Sequence, residues 1–191
     1  MSDIVKTYLS PQDLMDSSLA LARKIYDSGF RPDFIVAIWR GGTPVGITIQ
    51  EFYEYVGVST DHIAIRTSYY TGLNQVRDKV RVHGLEYLIK NINAEDSLLI
   101  VDDVFDSGKS IAAALEKIRA EARRNTPQDI RVATPYFKPA KNKTDIVPDY
   151  FIHETNDWLV FPHELKGLTP EEICAHKPWV GDWISDYSGK S

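Results

Sequence analysis

Apolar residues along the chain fall into short continuous runs, separated by longer stretches with helical spacing. Phe34-Ile35-Val36-Ala37-Ile38-Trp39 is apolar throughout and too short for a typical helix, which predicts a strand buried on both faces. Leu98-Leu99-Ile100-Val101 has the same character, and residues 62–66, 130–137 and 150–152 predict further strands. Ser10-Pro11 opens a helix, with Ser as N-cap, Pro at the first helical position and Asp13 near the positive end of the dipole. Leu14, Leu21 and Ile25 share one face of that helix, and Gly29 is its stop. Two more helices are expected, one after Gly42 to about residue 55 and one over residues 109–124. Strands alternating with helices predict an α/β fold whose mostly parallel sheet is covered on both faces. Ligands of such sheets bind at the carboxyl ends of strands. That singles out the glycine-bearing ends after Trp39 and Val101.

Two segments depart from the alternation. Residues 67–81 are polar, contain Gly72 and predict a long loop of the kind that carries function. After Asp149 the chain is rich in aromatic residues and Pro, as in a small appended subdomain. There is no internal repeat and no Pro/Gly-rich linker, so a single domain over residues 1–191 is expected.

Composition narrows the function classes. The 191 residues carry 22 Lys+Arg against 27 Asp+Glu, a net charge of −5, with 43% apolar residues. No Lys/Arg cluster marks a nucleic-acid partner. No apolar run approaches the roughly 18–20 residues of a membrane helix, so no membrane partner is expected. The opening MSDIVKTYLS lacks the basic-then-apolar order of a signal peptide. A lone Cys174 fits a reducing, cytoplasmic setting, and within a short helix opened by Pro170 it is expected as a packed thiol. The histidines at 62, 83, 153, 163 and 176 have no metal-site spacing. Trp179, Trp183 and Tyr187 recur every four residues and would share one face of a helix, packed on the subdomain or meeting another subunit.

The segment from Leu98 to Ser110 reads LLIVDDVFDSGKS. Gly108-Lys109-Ser110 resembles the end of a P-loop, but that motif needs Gly where Asp103 stands. Val104 and Phe105 break the alternate-ligand spacing of an EF-hand. An N-capped helix, with Asp106 as the cap, leaves unexplained the two carboxylates Asp102 and Asp103 at the end of a buried strand, where charge is costly unless compensated. The N–H groups of residues 107–110 at a helix start suit a phosphate, and the carboxylates suit Mg²⁺ or sugar hydroxyls. Phosphate beside polyol and metal describes a phosphorylated ribose.

This segment resembles the 5-phosphoribosyl-1-pyrophosphate (PRPP) signature of the type I phosphoribosyltransferases. The resemblance runs from about Phe34 to Glu164. It implies that Asp102 and Asp103 hold the ribose hydroxyls and, directly or through water, Mg²⁺. It further implies that Asp106, Ser107, Gly108, Lys109 and Ser110 cradle the 5′-phosphate. Trp39-Arg40-Gly41-Gly42 resembles the family's pyrophosphate loop, in which a non-proline cis peptide would fall between Trp39 and Arg40. Thr67-Ser68-Tyr69, followed by Arg77, resembles the loop that closes over PRPP.

The base-receiving part resembles the 6-oxopurine branch. By that resemblance Lys138 donates to the purine O6, Trp158 stacks on the ring, and the backbone of Leu159 and Val160 reads its edge. Glu164 falls where the family carries an acidic Mg²⁺ ligand, usually Asp. Asp106 would be the general base near N7. The implied architecture is a core over about residues 30–147 and a small C-terminal hood over about residues 148–191, joined by part of the N-terminal segment. A donor at position 138 rewards a 6-oxo group over the amino group of adenine. Val160 offers no carboxylate to a 2-amino group, which favours hypoxanthine while leaving guanine and xanthine open. The implied activity is Mg²⁺-dependent transfer of the phosphoribosyl group to a 6-oxopurine in nucleotide salvage, by a homodimer or homotetramer. The rivals are a PRPP- or purine-sensing regulator of the same fold and a phosphoribosyltransferase for another base.

Overall fold

The computed structural model describes residues 6–69 and 80–184, without the side chains of residues 69 and 182. The chain folds into two compact units, Met15–Asn156 and Met1–Leu14 with Asp157–Ser191. Its elements run β1 (Lys6–Tyr8), α1 (Pro11–Asp27), β2 (Phe34–Trp39), α2 (Gly42–Tyr55), β3 (Asp61–Tyr69) and β4 (Val80–His83). Then come α3 (Glu86–Asn91), β5 (Ser97–Val101), β6 (Val104–Phe105), α4 (Lys109–Ala122) and β7 (Asp129–Phe137). β8 (Tyr150–Glu154), β9 (Trp158–Val160), α5 (Pro170–His176) and α6 (Pro178–Ile184) complete the order.

The larger unit holds a seven-stranded sheet in the order β4-β3-β2-β5-β7-β6, with β8 also pairing β7. Every pair is parallel except β3–β4. The α/β expectation with a mostly parallel sheet therefore holds. Successive side chains of a strand point to opposite faces. Val36, Ile38, Ile100 and Val132 join Leu88 of α3 and Ile111, Leu115 and Ile118 of α4 in one cluster. Ile35, Ala37, Leu99 and Val101 face the other way and are equally buried, as are Val45, Ile49 and Tyr53 of α2. There α2 lies so close that a Cβ on Gly46 would come within 2.9 Å of the Ala37 Cβ.

Several local expectations are corrected. The strand expected over residues 62–66 runs from Asp61 to Tyr69, and Val80–His83 returns antiparallel to it. Its outer part is half-exposed and polar, which hid the strand within the residues expected as loop. The helix expected to residue 124 ends at Ala122, where Arg123 turns to φ +53° and a 3-10 turn follows. Ser10 caps α1 as expected: its Oγ accepts the Asp13 N–H (3.1 Å), and Asp13 Oδ2 accepts the Ser10 N–H (2.8 Å).

In the smaller unit β1 pairs in parallel with β9, matching Lys6 to Trp158 and Tyr8 to Val160. Glu172 of α5 accepts from Lys6 Nζ (2.5 Å) and Tyr8 Oη (2.8 Å), and the Tyr8 ring stacks on His176 with centroids 3.8 Å apart. These contacts hold Glu172 far below the ordinary glutamate value, at about 2, chiefly through the Lys6 hydrogen bond. Cys174 is exposed rather than packed, with its Sγ 3.7 Å from the Gly181 carbonyl. Trp179 and Trp183 are 42% and 50% exposed, and Tyr187 lies outside the described residues. Among the described residues no helix is long and apolar enough to cross a membrane.

Candidate active site

Parallel pairing brings the ends of three buried strands together. The registers Ala37↔Val101 and Val101↔Ala133 set β2, β5 and β7 side by side with their carboxyl ends on one edge. Arg40 follows β2, Asp102 and Asp103 follow β5, and Lys138 follows β7.

The turn after β2 packs directly onto the end of β5. A Cβ on Gly41 would fall 1.8 Å from Asp103 Oδ2, and one on Gly42 would fall 2.5 Å from the Val101 carbonyl oxygen. Only glycine permits that approach. The Trp39–Arg40 peptide is cis, and the Arg40 side chain is exposed.

Asp102 and Asp103 adjoin in sequence and in space. Asp102 Oδ1 accepts the Asp103 N–H at 3.0 Å. Burial first, and then the neighbouring Asp103 charge, push the Asp102 carboxyl well above the ordinary value; the backbone N–H groups of Asp103 and Gly42 oppose this in part. A divalent cation beside the pair would relieve both causes, so the donor set fits Mg²⁺. Among the described residues no group of three or more His, Cys, Asp or Glu side chains converges on one point. An ion at the pair would therefore complete its shell from water or substrate oxygens.

The next residues form a concave turn lined by Asp102, Asp106, Ser107, Gly108 and Ser110. Gly108 is left-handed (φ +73°), and a Cβ there would lie 2.5 Å from Thr144 Oγ1. Asp106 is not the helix cap: Gly108 occupies that position without a side chain, and Ser107 Oγ accepts the Lys109 N–H at 3.5 Å. The first N–H groups of a helix have no intrahelical acceptor, so this start suits an anion. Thr67 Oγ1 reaches Ser110 Oγ at 3.5 Å, tying the end of β3 to this turn.

β6 runs beside the end of β7 with Phe105 opposite Phe137, so the residues that follow, Asp106 and Lys138, emerge as neighbours. The Lys138 N–H donates to the Phe105 carbonyl at 2.9 Å. Its Nζ lies 3.3 Å from Asp106 Oδ2, with the lysine side chain 6% and the aspartate side chain 45% exposed. A solvated surface lysine, the ordinary fate of that residue type, is thereby ruled out.

Ser68 and Tyr69 close β3 opposite Arg81 and Val80, while Arg77 lies outside the described residues. In the smaller unit Trp158 is 51% exposed, and Leu159 and Val160 are buried. The Val160 carbonyl already accepts the Leu9 N–H at 3.0 Å. Glu164 Oε2 accepts the Phe161 N–H, and the Glu164 N–H donates to the Phe161 carbonyl, each at 3.0 Å. The structure thus gathers Arg40, Gly41, Asp102, Asp103, Lys138 and residues 106–110 in the larger unit. It groups Trp158, Leu159, Val160 and Glu164 in the smaller.

Sequence reasoning missed Thr67 as a partner of Ser110 and Thr144 as a wall of the turn. The glycine at 108 was the only trace of that wall, since a close approach demands it. Sequence reasoning began the family resemblance at Phe34, although it joined part of the N-terminal segment to the hood, where β1 is the partner of β9.

The phosphoribosyl transferase domain family matches residues 5–167, extending the likeness to the N-terminal strand. A purine phosphoribosyltransferase from Pyrococcus horikoshii is 27% identical, with 86% of this chain and 97% of that one covered and a TM-score of 0.64. A Neisseria gonorrhoeae protein described as hypothetical, solved with bound ppGpp, is 23% identical over 95% of this chain and 98% of that one, with a TM-score of 0.73. The xanthine-guanine-hypoxanthine phosphoribosyltransferase of Helicobacter pylori shares the fold at 17% identity, 90% and 100% coverage and a TM-score of 0.68. No curated protein matches the chain. With the match running through both carboxylates, the glycine turn and the strand ends that carry them, the chain belongs to the phosphoribosyl transferase domain family.

Proposed function

We propose that this chain transfers the 5-phosphoribosyl group of PRPP to a 6-oxopurine and releases pyrophosphate, as a step of nucleotide salvage. The observation that carries this reading is the buried Lys138 ammonium held 3.3 Å from Asp106 at the strand ends. A fixed donor beside a carboxylate matches the two edge groups of a 6-oxopurine, the O6 acceptor and the ring nitrogen that must lose or share a proton. Adenine presents an amino group to the same lysine and lacks the acceptor.

The start of α4, with Ser107, Gly108, Lys109 and Ser110, receives the 5′-phosphate. Asp102 and Asp103 receive the ribose hydroxyls. Arg40 and the amide of Gly41, with Ser68, Tyr69 and Arg77, receive the pyrophosphate. Asp103, and as a second candidate Glu164, would hold Mg²⁺, which when bound would supply neutralising charge for the leaving group. As the bond from C1′ to the pyrophosphate oxygen breaks, positive charge grows on the ribose, and N9 of the base donates the pair that forms the new bond. Asp106 takes the proton the base gives up. Preorganised charge at the leaving oxygens is the main catalytic contribution. Trp158 is the stacking platform for the base. Hypoxanthine is favoured among the 6-oxopurines because Val160 brings no acceptor for a 2-amino group.

The test is incubation with PRPP, Mg²⁺ and each of hypoxanthine, guanine, xanthine and adenine, followed by chromatography for the nucleotide. Product with a 6-oxopurine is expected, and product with adenine alone overturns the base assignment. One observation favours a second reading: the Neisseria gonorrhoeae structure of the same fold carries ppGpp. On that reading the chain senses PRPP or a purine nucleotide, and the same incubation gives binding without product.

A further inference from the structure

Lys177 is the most deeply buried charged side chain among the described residues, 1% exposed, and the proposed reaction makes no use of it. It stands between α5 and α6, where its own N–H donates to the Ile173 carbonyl (2.7 Å) and its carbonyl accepts from Val180 (3.0 Å) and Gly181 (3.1 Å). The backbone is thus satisfied without the side chain. The ammonium instead reaches across the smaller unit to the Phe161 carbonyl (2.6 Å) and the Pro162 carbonyl (3.2 Å), with the Trp179 ring 5.7 Å away.

A buried ammonium is costly unless its donors are matched, and no carboxylate lies within ion-pairing distance of this one among the described residues. Its partners are two consecutive carbonyls of the turn that follows β9. Phe161 holds that turn from both sides: its N–H donates to Glu164 Oε2, and its carbonyl accepts both the Glu164 N–H and Lys177 Nζ. Both lone pairs of that carbonyl are therefore occupied. One end of the turn is the strand of Trp158, Leu159 and Val160, and the other end is Glu164.

We propose that Lys177 is a positioning residue for the base site, pinning the 161–164 turn so that β9 and the Glu164 carboxylate are presented in one fixed geometry. It acts through the Phe161 and Pro162 carbonyls and touches neither PRPP nor base. This inference rests on the phosphoribosyl-transfer reading. A site group displaced by about 1 Å loses up to about 100-fold in efficiency, and Lys177→Met releases both carbonyls at once.

The test compares wild type, Lys177→Met and Lys177→Arg by amide hydrogen exchange over residues 161–164 and by separate KM values for hypoxanthine and PRPP. Lys177→Met is expected to exchange faster over those residues and to raise the base KM about 10- to 100-fold, with the PRPP KM, which depends on the turn only through Glu164, rising less. Lys177→Arg keeps a charged donor and is expected to fall between the two. Unchanged exchange over the turn in a folded Lys177→Met, an unchanged base KM, or a PRPP KM that rises as much as the base KM overturns the inference. If Lys177→Met fails to fold, Lys177→Arg decides by the same readouts, and a wild-type base KM with wild-type exchange overturns it. A wild-type protein that makes no nucleotide from any base overturns the reaction assignment alone, because the exchange comparison still reads the contact.

Discussion

Lys138 Nζ lies 3.3 Å from Asp106 Oδ2 because two strands end in register. Neither residue is adjacent to the other in sequence, and neither sits in a helix. Phe105 and Phe137 pair at the ends of β6 and β7, and the next residue of each strand carries a charge. With the lysine side chain only 6% exposed, Asp106 is its principal compensation until a base arrives. A 6-oxopurine would enter between a donor and an acceptor already facing each other, so the pair is preorganised and no large rearrangement is required.

Asp106→Asn keeps the shape of the turn and its contact with Lys138 but removes the proposed base. PRPP affinity is expected to stay within a few-fold of wild type while kcat falls about 10²–10⁴-fold, the usual contribution of general acid–base assistance. Steady-state kinetics with hypoxanthine and a direct PRPP titration check this. An unchanged kcat removes the base assignment.

Lys138→Met has the opposite signature. It deletes the proposed donor to O6 and leaves Asp106, itself 45% exposed, to water. The hypoxanthine KM is expected to rise at least about tenfold, in line with about 1.5–3 kcal/mol for a hydrogen bond to a charged group. Adenine, which gains nothing from a donor, should change little. The ratio of kcat/KM for hypoxanthine and adenine measures it, and a ratio equal to wild type rejects Lys138 as the O6 partner.

The strands and the acidic site were largely legible in the sequence because their signals are local. An unbroken apolar run such as residues 34–39 has few alternatives to a buried strand, and two carboxylates at the end of another have no cheap structural explanation. Side chains paired by topology were not legible from spacing alone. Asp106 and Lys138 are separated by 32 positions, and the two-residue strand that aligns them is too short to give a pattern. The three-residue β1 was invisible for the same reason, and Lys177 resembles any surface lysine until α5 and α6 fold around it. Family likeness supplied the expected role of Lys138 where periodicity gave none.

The two glycines after Arg40 are expected to fail in different ways. A Cβ on Gly42 meets backbone, 2.5 Å from the Val101 oxygen and 2.9 Å from the Asp102 Cα. Gly42→Ala must therefore part β5 from α2, at a cost of about 1–3 kcal/mol by the usual scale of overpacking. A Cβ on Gly41 meets a side chain, the Asp103 carboxylate, which can swing away. Gly41→Ala is expected to keep most of its stability and lose PRPP affinity with Mg²⁺ present. Thermal melts beside PRPP titrations separate the two, and equal loss of stability in both variants contradicts the distinction.

Asp102 makes stability depend on pH in a direction opposite to that of a salt-bridged aspartate. Burial and the Asp103 charge raise its folded value well above the ordinary 3.8, so between those two values the folded state binds more protons than the unfolded one. Stability then falls as pH rises through the raised value and recovers on acidification, down to the ordinary aspartate range. The penalty is fully present above the raised value, where Asp102 is charged and unfolding relieves it. Asp102→Asn cannot ionise and still accepts the Asp103 N–H. The ligand-free variant is expected to melt above wild type at neutral pH, with the difference closing as pH falls through the raised value. Mg²⁺ with PRPP should reverse the order, stabilising wild type at neutral pH and leaving the variant nearly unaffected. Melting curves across pH, with and without Mg²⁺ and PRPP, measure both effects. A variant that melts below wild type at neutral pH without ligand would show that the Asp102 charge is already compensated by the protein itself.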